Sequence, residues 1–322
     1  MSVEMSSRFV IGSRGSQLAL VQAEWVKAQL SLLNPDSDIR IEVIRTTGDV
    51  KTDPLSVIGG KGVFTKELED ALFDRRIDLA VHSLKDLPTI VPDRLALAGI
   101  CQREDPRDAF VVPKSSAFAC ASIKDLPAGA VVGTSSPRRL AQLRYLRHDL
   151  DIRDLRGNVD TRLRKLDEDK YDAVILAAAG LKRLGFENRI TGTIPPELML
   201  PAVGQGAIGI ETRADDAGVR KAVSALDHGA TRTACSAERA FLRALGGGCQ
   251  LPIAGYGVVY GQLLRLEGLV ASRDGKQIVR DQLSGPAEKA DELGLRLADH
   301  LLAGGAKELL SGKDYEERTN EA

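Results

Sequence analysis

The feature that most constrains this chain is a β-α-β-α-β alternation at its start, which begins again near residue 107. "FVIG" (9–12) reads as a strand, "SQLALVQAEWVKAQLSLL" (16–33) as a helix and "IRIEVIRT" (39–46) as an alternating strand. "TKELEDALFDRRI" (65–77) has a helical pattern, and "DLAVHS" (78–83) reads as a buried strand. Such an order predicts an α/β layer on a largely parallel sheet. In the restart, "DAFVV" (108–112) and "AVVGT" (130–134) read as strands and "PRRLAQLRYLR" (137–147) as a helix. "DIRDL" (151–155), "VDTRLRKLDE" (159–168) and "YDAVILAAAG" (171–180) continue the alternation, which predicts a second α/β domain.

Two stretches connect these regions. "CQREDPRD" (101–108) is polar and interrupted by Pro106, a hinge pattern. "PPELMLPAVGQGAIGIE" (195–211) is linker-like and ends in an apolar strand. Two crossings suit a chain that leaves the first domain, builds the second and returns. The last third differs. "TACSAERAFLRAL" (233–245) is a helix closed by Gly246 and Gly247. "IAGYGVVYG", "LLRLEGLVAS" and "QIVRDQLS" form an antiparallel meander, and "AEKADELGLRLADHLL" (287–302) a closing helix. The expected fold class is two α/β domains plus a C-terminal α+β domain. The expected boundaries are 1–104 with 205–226, then 105–204, then 227–322 with a loose tail. A length of 322 residues agrees with more than one core.

A formal net charge of −1 excludes a global basic field that would draw the chain to nucleic acid or an anionic membrane. Anion binding must come from local clusters, and three loops share the design for it. "GSRGSQ" (12–17) ends a strand, places Arg14 in the turn and offers Ser16 as a helix cap. "GTSSPRRL" (133–140) offers Ser136 as N-cap and Pro137 at the first helical position, followed by Arg138 and Arg139. "LRGNVDTR" (155–162) offers Asn158 as a cap, with Arg156 before it and Arg162 a turn later. A helix N-terminus carries partial positive charge, so an arginine there opposes the dipole unless an anion is near. One such loop is usually structural; three together point to a ligand with several negative charges.

"AVHSLKDLP" (80–88) follows a strand at its carboxyl end, where open α/β sheets bind ligands. His82, Ser83, Lys85 and Asp86 are four polar groups in five positions. Asp86 reads either as a turn residue or as a carboxylate that donates protons or stabilises a cation. "GGKGVF" (59–64) lacks the Walker spacing and reads as a flexible loop with Lys61 facing a ligand. Cys101, Cys120, Cys235 and Cys249 show no C-x-x-C spacing, and the four histidines are scattered, so no metal is expected. The start "MSVEMSSRF" lacks an apolar signal core, and no apolar run spans a bilayer, which leads to the expectation of a cytoplasmic protein. In "LGGGCQLPIAG" (245–255) three glycines run into Cys249; a lone cysteine is either an inert buried hydrophobe or a thiol given room to react.

Together these motifs resemble the hydroxymethylbilane synthase (porphobilinogen deaminase) family from about Arg8 to about Leu310. The resemblance rests on "AVHSLKDLP", "EDPRDAF", "GTSSPRR", "LRGNVDTRL", "LAAAGLKRLG", "LPAVGQGAIGIE" and "GGGCQLPI", in family order. It implies two domains built like periplasmic binding proteins, and a third that bears a dipyrromethane cofactor. It implies a thioether from that cofactor to Cys249, and head-to-tail condensation of four porphobilinogen molecules with loss of ammonia. Asp86 matches the family's catalytic aspartate. The cofactor-binding set it implies is Cys249, Lys85, Asp86, Ser83, Thr134, Ser135, Ser136, Arg138, Arg139, Arg156 and Gly157. The substrate-binding set is Arg14, Ser16, Gln22, Lys61, Phe64, Arg156 and Arg162. A monomer is implied. Thr47 and Val57 stand where some relatives carry arginine and lysine, while Asp49 is retained. Two other readings compete. A non-catalytic binding protein for a carboxylated ligand explains the arginines and hinges but not the glycine-flanked cysteine. A cysteine hydrolase needs a histidine base beside Cys249.

Overall fold

The computed structural model describes residues 8–46, 65–115, 121–248 and 250–311. The first region holds β1 (Arg8–Arg14), α1 (Gln17–Leu33), β2 (Asp38–Ile44), α2 (Lys66–Phe73), β3 (Leu79–Ser83) and β4 (Leu95–Ile100). The second holds β5 (Asp108–Val111), β6 (Val131–Gly133), α3 (Pro137–Leu146), β7 (Asp151–Arg153), α4 (Val159–Asp167), β8 (Ala173–Ala177), α5 (Ala178–Arg183) and β9 (Gly192–Ile194). The chain then returns through β10 (Ile208–Arg213) and α6 (Ala217–Ser224). It ends in α7 (Gly229–Ala244), β11 (Ile253–Tyr260), β12 (Leu263–Ala271), β13 (Ile278–Pro286), α8 (Ala290–Leu301) and α9 (Lys307–Ser311).

Two five-stranded sheets have the orders β2-β1-β3-β10-β4 and β7-β6-β8-β5-β9, and β11-β12-β13 form a third, antiparallel sheet. The two large sheets share one plan. β1 runs parallel to β2 and β3, while β10 is antiparallel to both β3 and β4. Likewise β6 is parallel to β7 and β8, and β5 is antiparallel to both β8 and β9. The expectation of largely parallel sheets therefore needs correction: half of the pairings in each are antiparallel. The reversed strand is in each case the one that follows a crossing, since a chain entering from the other unit arrives from the opposite direction. The crossings run side by side, with Cys101 N–H on the Ile208 carbonyl at 3.0 Å and Glu104 N–H on the Gly206 carbonyl at 3.1 Å.

Both large sheets are covered on two faces, as their apolar strands require. On β8, Ala173 and Ile175 pack toward Phe110, Val132 and Leu143, while Val174 and Leu176 pack toward Leu163, Leu166 and Leu181. In the first sheet Ile11, Val81 and Ile210 meet Ala23, Val26 and Leu30 of α1, and Ala80 meets Leu68 and Leu72 of α2. The third sheet packs Leu264, Leu266 and Val270 against Phe241 of α7 and Leu293 and Leu297 of α8.

Several elements differ from the sequence reading. "TKELEDALFDRRI" is helical only to Phe73, and Arg75 has a left-handed φ of 57°. "YDAVILAAAG" splits into β8 and the start of α5. α7 starts earlier, at Gly229, with His228 as its cap. β4, β9 and α6 had no sequence signal singled out. Among the described residues no helix is long and apolar enough to cross a membrane.

Candidate active site in the cleft between the large sheets

The candidate residues lie at the carboxyl ends of strands, where parallel neighbours leave a crevice. β1 delivers Arg14, and Ser16 caps α1 by accepting from the Ala19 N–H at 3.4 Å. β3 delivers Ser83, whose hydroxyl donates to the Gln22 side-chain oxygen at 3.0 Å. The 3₁₀ turn Leu84–Asp86 follows. Buried Leu84 is its anchor: its N–H donates to the Ala207 carbonyl at 3.0 Å, and it packs on Gly204 and Gly209. A β-carbon on either glycine would stand about 3 Å from Leu84, a tight contact, and Gly204 also has a left-handed φ of +71°. Arg239 of α7 holds the far end of the turn, donating to the Leu87 and Pro88 carbonyls at 3.1 and 2.7 Å. Lys85 and Asp86 are thereby fixed by their neighbours. Arg14, Ser16, Gln22, His82, Ser83 and Asp86 converge on one cavity of about 60 Å³.

The second sheet carries the other candidate residues. Ser136 caps α3, with Pro137 in its first turn, as the sequence predicts. Ser135 joins two loops, donating to the Leu155 carbonyl at 2.5 Å and accepting from the Leu155 N–H at 3.1 Å. Thr134 is buried, and its hydroxyl accepts from the Ser136 N–H at 3.3 Å. Asn158 occupies the N-cap position of α4, but its side chain makes no capping bond. Gly157 has φ +114°, and a β-carbon there would lie 2.8 Å from Thr161 Cγ2. This bend lets the Gly157 carbonyl accept from Arg162 Nε at 2.7 Å. Arg156 pairs through Nε with Asp154 at 2.6 Å. The two units approach closely where Gly180 of α5 faces Leu18 of α1.

Charge is concentrated here. Burial pushes the Lys85 ammonium below its ordinary range; Asp86 opposes this, and Arg139 adds to it. Burial pushes Arg162 down to about 10, assisted by Arg139 and opposed by Asp154 and Asp86. Lys85 follows a strand of the first sheet and Arg162 lies on a helix of the second unit, yet both are within electrostatic reach of Asp86.

Arg138 and Arg139, which the sequence reading aims at a ligand, have their guanidinium groups buried on Asp108 at the start of β5. Arg138 contacts the two oxygens at 2.7 and 3.2 Å, and Arg139 contacts Oδ1 at 2.7 and 3.0 Å. They also donate to the Leu200 and Ile175 carbonyls. The anion that offsets two arginines at a helix start is thus internal. Burial alone would raise the Asp108 carboxyl; the charges of Arg138 and Arg139 outweigh it and hold the group far below the carboxylate range. Gln205 of the second crossing donates to the same carboxylate at 3.0 Å. Arg138 Nε is a buried donor without an acceptor among the described residues. Sequence reasoning missed Asp108, although the unbalanced Arg-Arg pair signals that an acid must be near. Lys61, Phe64, Thr47, Asp49, Val57 and Cys249 lie outside the described residues.

Two family models cover nearly all of this architecture: "Porphobilinogen deaminase, dipyromethane cofactor binding domain" over residues 9–221 and "Porphobilinogen deaminase, C-terminal domain" over residues 232–303. The chain belongs to the porphobilinogen deaminase family. It is 50% identical over 306 residues to the porphobilinogen deaminase of Geobacter sulfurreducens, covering 95% of this chain and 94% of that one. It is 53% identical over 302 residues to the porphobilinogen deaminase of a Nostoc species, covering 94% and 93%. It also aligns with the methionine binding protein MetQ at 14% identity, with a TM-score of 0.41 over 68% of this chain and 90% of that one. Within a porphobilinogen deaminase, the cleft described above is the region that the cofactor-binding model spans.

Proposed function

We propose that this chain is a hydroxymethylbilane synthase, a transferase of tetrapyrrole biosynthesis that deaminates porphobilinogen and joins four units head to tail before releasing the linear product. The observation that supports the site assignment is that Asp86 lines one cavity with Arg14, Ser16, Gln22 and Ser83, within electrostatic reach of Lys85 and Arg162.

The residues present fit a dipyrromethane. Lys85 and Arg162 are cations whose charged forms burial disfavours, so an anion beside them lowers the free energy of both. When bound, the group supplies a nucleophilic pyrrole α-carbon and the acetate and propionate arms by which it is held. Lys85, Ser83, Thr134, Ser135, Ser136, Arg156 and Gly157 form its cradle, with Arg138 and Arg139 as the charged floor. Arg14, Ser16, Gln22, Lys61, Phe64, Arg156 and Arg162 receive the incoming porphobilinogen. Guanidinium groups suit this task because their planar forks grip carboxylates with paired hydrogen bonds. Asp86 is the catalytic residue: it stabilises positive charge on the pyrrole as ammonia departs and exchanges protons with it.

Cys249 is the attachment point. Cys101 and Cys235 are buried, and burial pushes both thiols up to about 12, which makes them poor nucleophiles. α7 ends in a turn that leads toward Cys249. Gly246 has φ +64°, its N–H reaches the Arg243 carbonyl, and the Gly247 N–H reaches the Leu242 carbonyl. Residues 1–104 with 205–226, 105–204 and 227–322 are the three domains, and the enzyme acts as a cytoplasmic monomer. The three-sheet plan and the buried free thiols support this reading.

Intact-mass analysis of the purified chain, with an acidic aldehyde reagent for pyrroles, tests the assignment. A covalent pyrrole adduct is expected in the wild type and none in Cys249→Ser. An unmodified wild-type chain that makes no tetrapyrrole contradicts it.

A further inference from the structure

Beside Asp86 the cavity holds a second titratable group that the mechanism above does not use. His82 is 5% exposed, and its Nε2 lies 3.1 Å from Oε2 of Glu211, which is fully buried on β10. The pairing register explains the contact: Gly209 stands opposite His82 and Glu211 opposite Ala80, so both side chains occupy one face of the sheet. Glu211 Oε1 has no hydrogen-bond partner among the described residues. A buried charged or polar pair with one oxygen unsatisfied is a poor device for stability, since apolar residues of similar size serve at least as well. The pair also reaches the cleft, because His82 lines the same cavity as Asp86, Ser83, Gln22 and Arg14. About 60 Å³ bounded by these polar groups is room for a short chain of water molecules beside the carboxylate.

We propose that His82, oriented by Glu211, is a proton-relay residue of this site and exchanges protons with Asp86 through water in the shared cavity. The inference rests on the function proposed above. The proton balance of that reaction calls for such a group. The aminomethyl group enters as ammonium, so when its C–N bond breaks the electron pair leaves with neutral ammonia. After the new C–C bond forms, the α-carbon C–H bond breaks, its pair restores the aromatic ring, and its proton needs an acceptor. Asp86 accepts it and hands it through water to His82, which restores the carboxylate for the next cation. His82 gives the proton to the released ammonia, which leaves as ammonium, so the protein is unchanged over a cycle. The charged groups around the relay are Glu211 on β10, Glu69 on α2, Lys85 and Asp86 after β3, Arg14 at the end of β1, and Arg239 of α7, which feels Glu211. Burial raises the Glu69 carboxyl; a Thr65 hydrogen bond opposes this, Glu211 adds to it and His82 lowers it, so these groups share one electrostatic pocket.

The test compares wild type, His82→Asn, Glu211→Gln and Glu211→Asp as cofactor-loaded enzymes, with loading checked by intact mass. In Glu211→Gln the acid limb of the kcat profile should move to lower pH, because the carboxylate beside His82 is gone. Glu211→Asp should keep the wild-type limb, and His82→Asn should lower kcat about 10–100-fold with loading intact. A His82→Asn profile that superposes on wild type overturns the relay, as does an acid limb that Glu211→Gln leaves in place. If Glu211→Gln does not fold, the His82→Asn profile still decides. A wild type without adduct or turnover would instead reject the proposed function.

Discussion

Burial sets the reactivity of individual side chains in this molecule. Cys101 lies in the core of the first sheet and Cys235 inside α7, and for both the first cause of a thiol pKa of about 12 is desolvation of the thiolate. Arg183 moderates the effect at Cys101, and Glu238 adds to it at Cys235. Near neutral pH both stay protonated. Folded protein treated with iodoacetamide should therefore carry no label on Cys101 or Cys235, and both should react once the chain is unfolded. Peptide mass mapping reads the outcome; rapid labelling of either in the native state would contradict the burial argument. The same reasoning separates Lys85 and Arg162 from the surface pairs. Their charge is costly where it stands, which is the mark of a site built for an anion.

At the scale of elements, Asp108 holds the start of β5 to α3 and, through Gln205, to the second crossing. Its folded carboxyl is held far below the ordinary value, so its contribution to stability is complete above about pH 4 and fades as the pH falls further. Asp108→Asn leaves two buried guanidinium groups without their anion, and should cost about 3–5 kcal/mol at neutral pH. Denaturant melts should show this gap narrowing below about pH 4. A gap of under 1 kcal/mol at pH 7, or one independent of pH, would contradict the account. Asp108 also marks where sequence reading stopped. The strand and helix order, the Ser16 and Ser136 caps and the Pro137 start were legible because they depend on near neighbours in sequence. The partner of Arg138 and Arg139 lies about thirty residues away, and only the sheet brings it under the helix. β9 has three residues, too few for a periodicity. The reversed strands β5 and β10 were hidden for a related reason, since direction within a sheet is set by the crossings and not by local pattern.

At the scale of the whole molecule, three units meet around the turn that carries Asp86. Arg239 of α7 grips that turn from the C-terminal unit. Glu238 accepts from Gly204 of one crossing, Arg103 of the other and Gly257 of β11, with the Gly204 and Gly257 bonds at 2.7 and 2.8 Å. The position of Asp86 is thus a property of the assembled chain. The central claim is that this carboxylate, within electrostatic reach of Lys85 and Arg162, carries the chemistry. Single-turnover rates of porphobilinogen consumption by cofactor-loaded Asp86→Asn test it most directly, because the substitution keeps the shape and removes the charge. The account predicts an adduct mass equal to wild type with a rate lower by about 10²–10³; a loaded Asp86→Asn enzyme that turns over at the wild-type rate would contradict it.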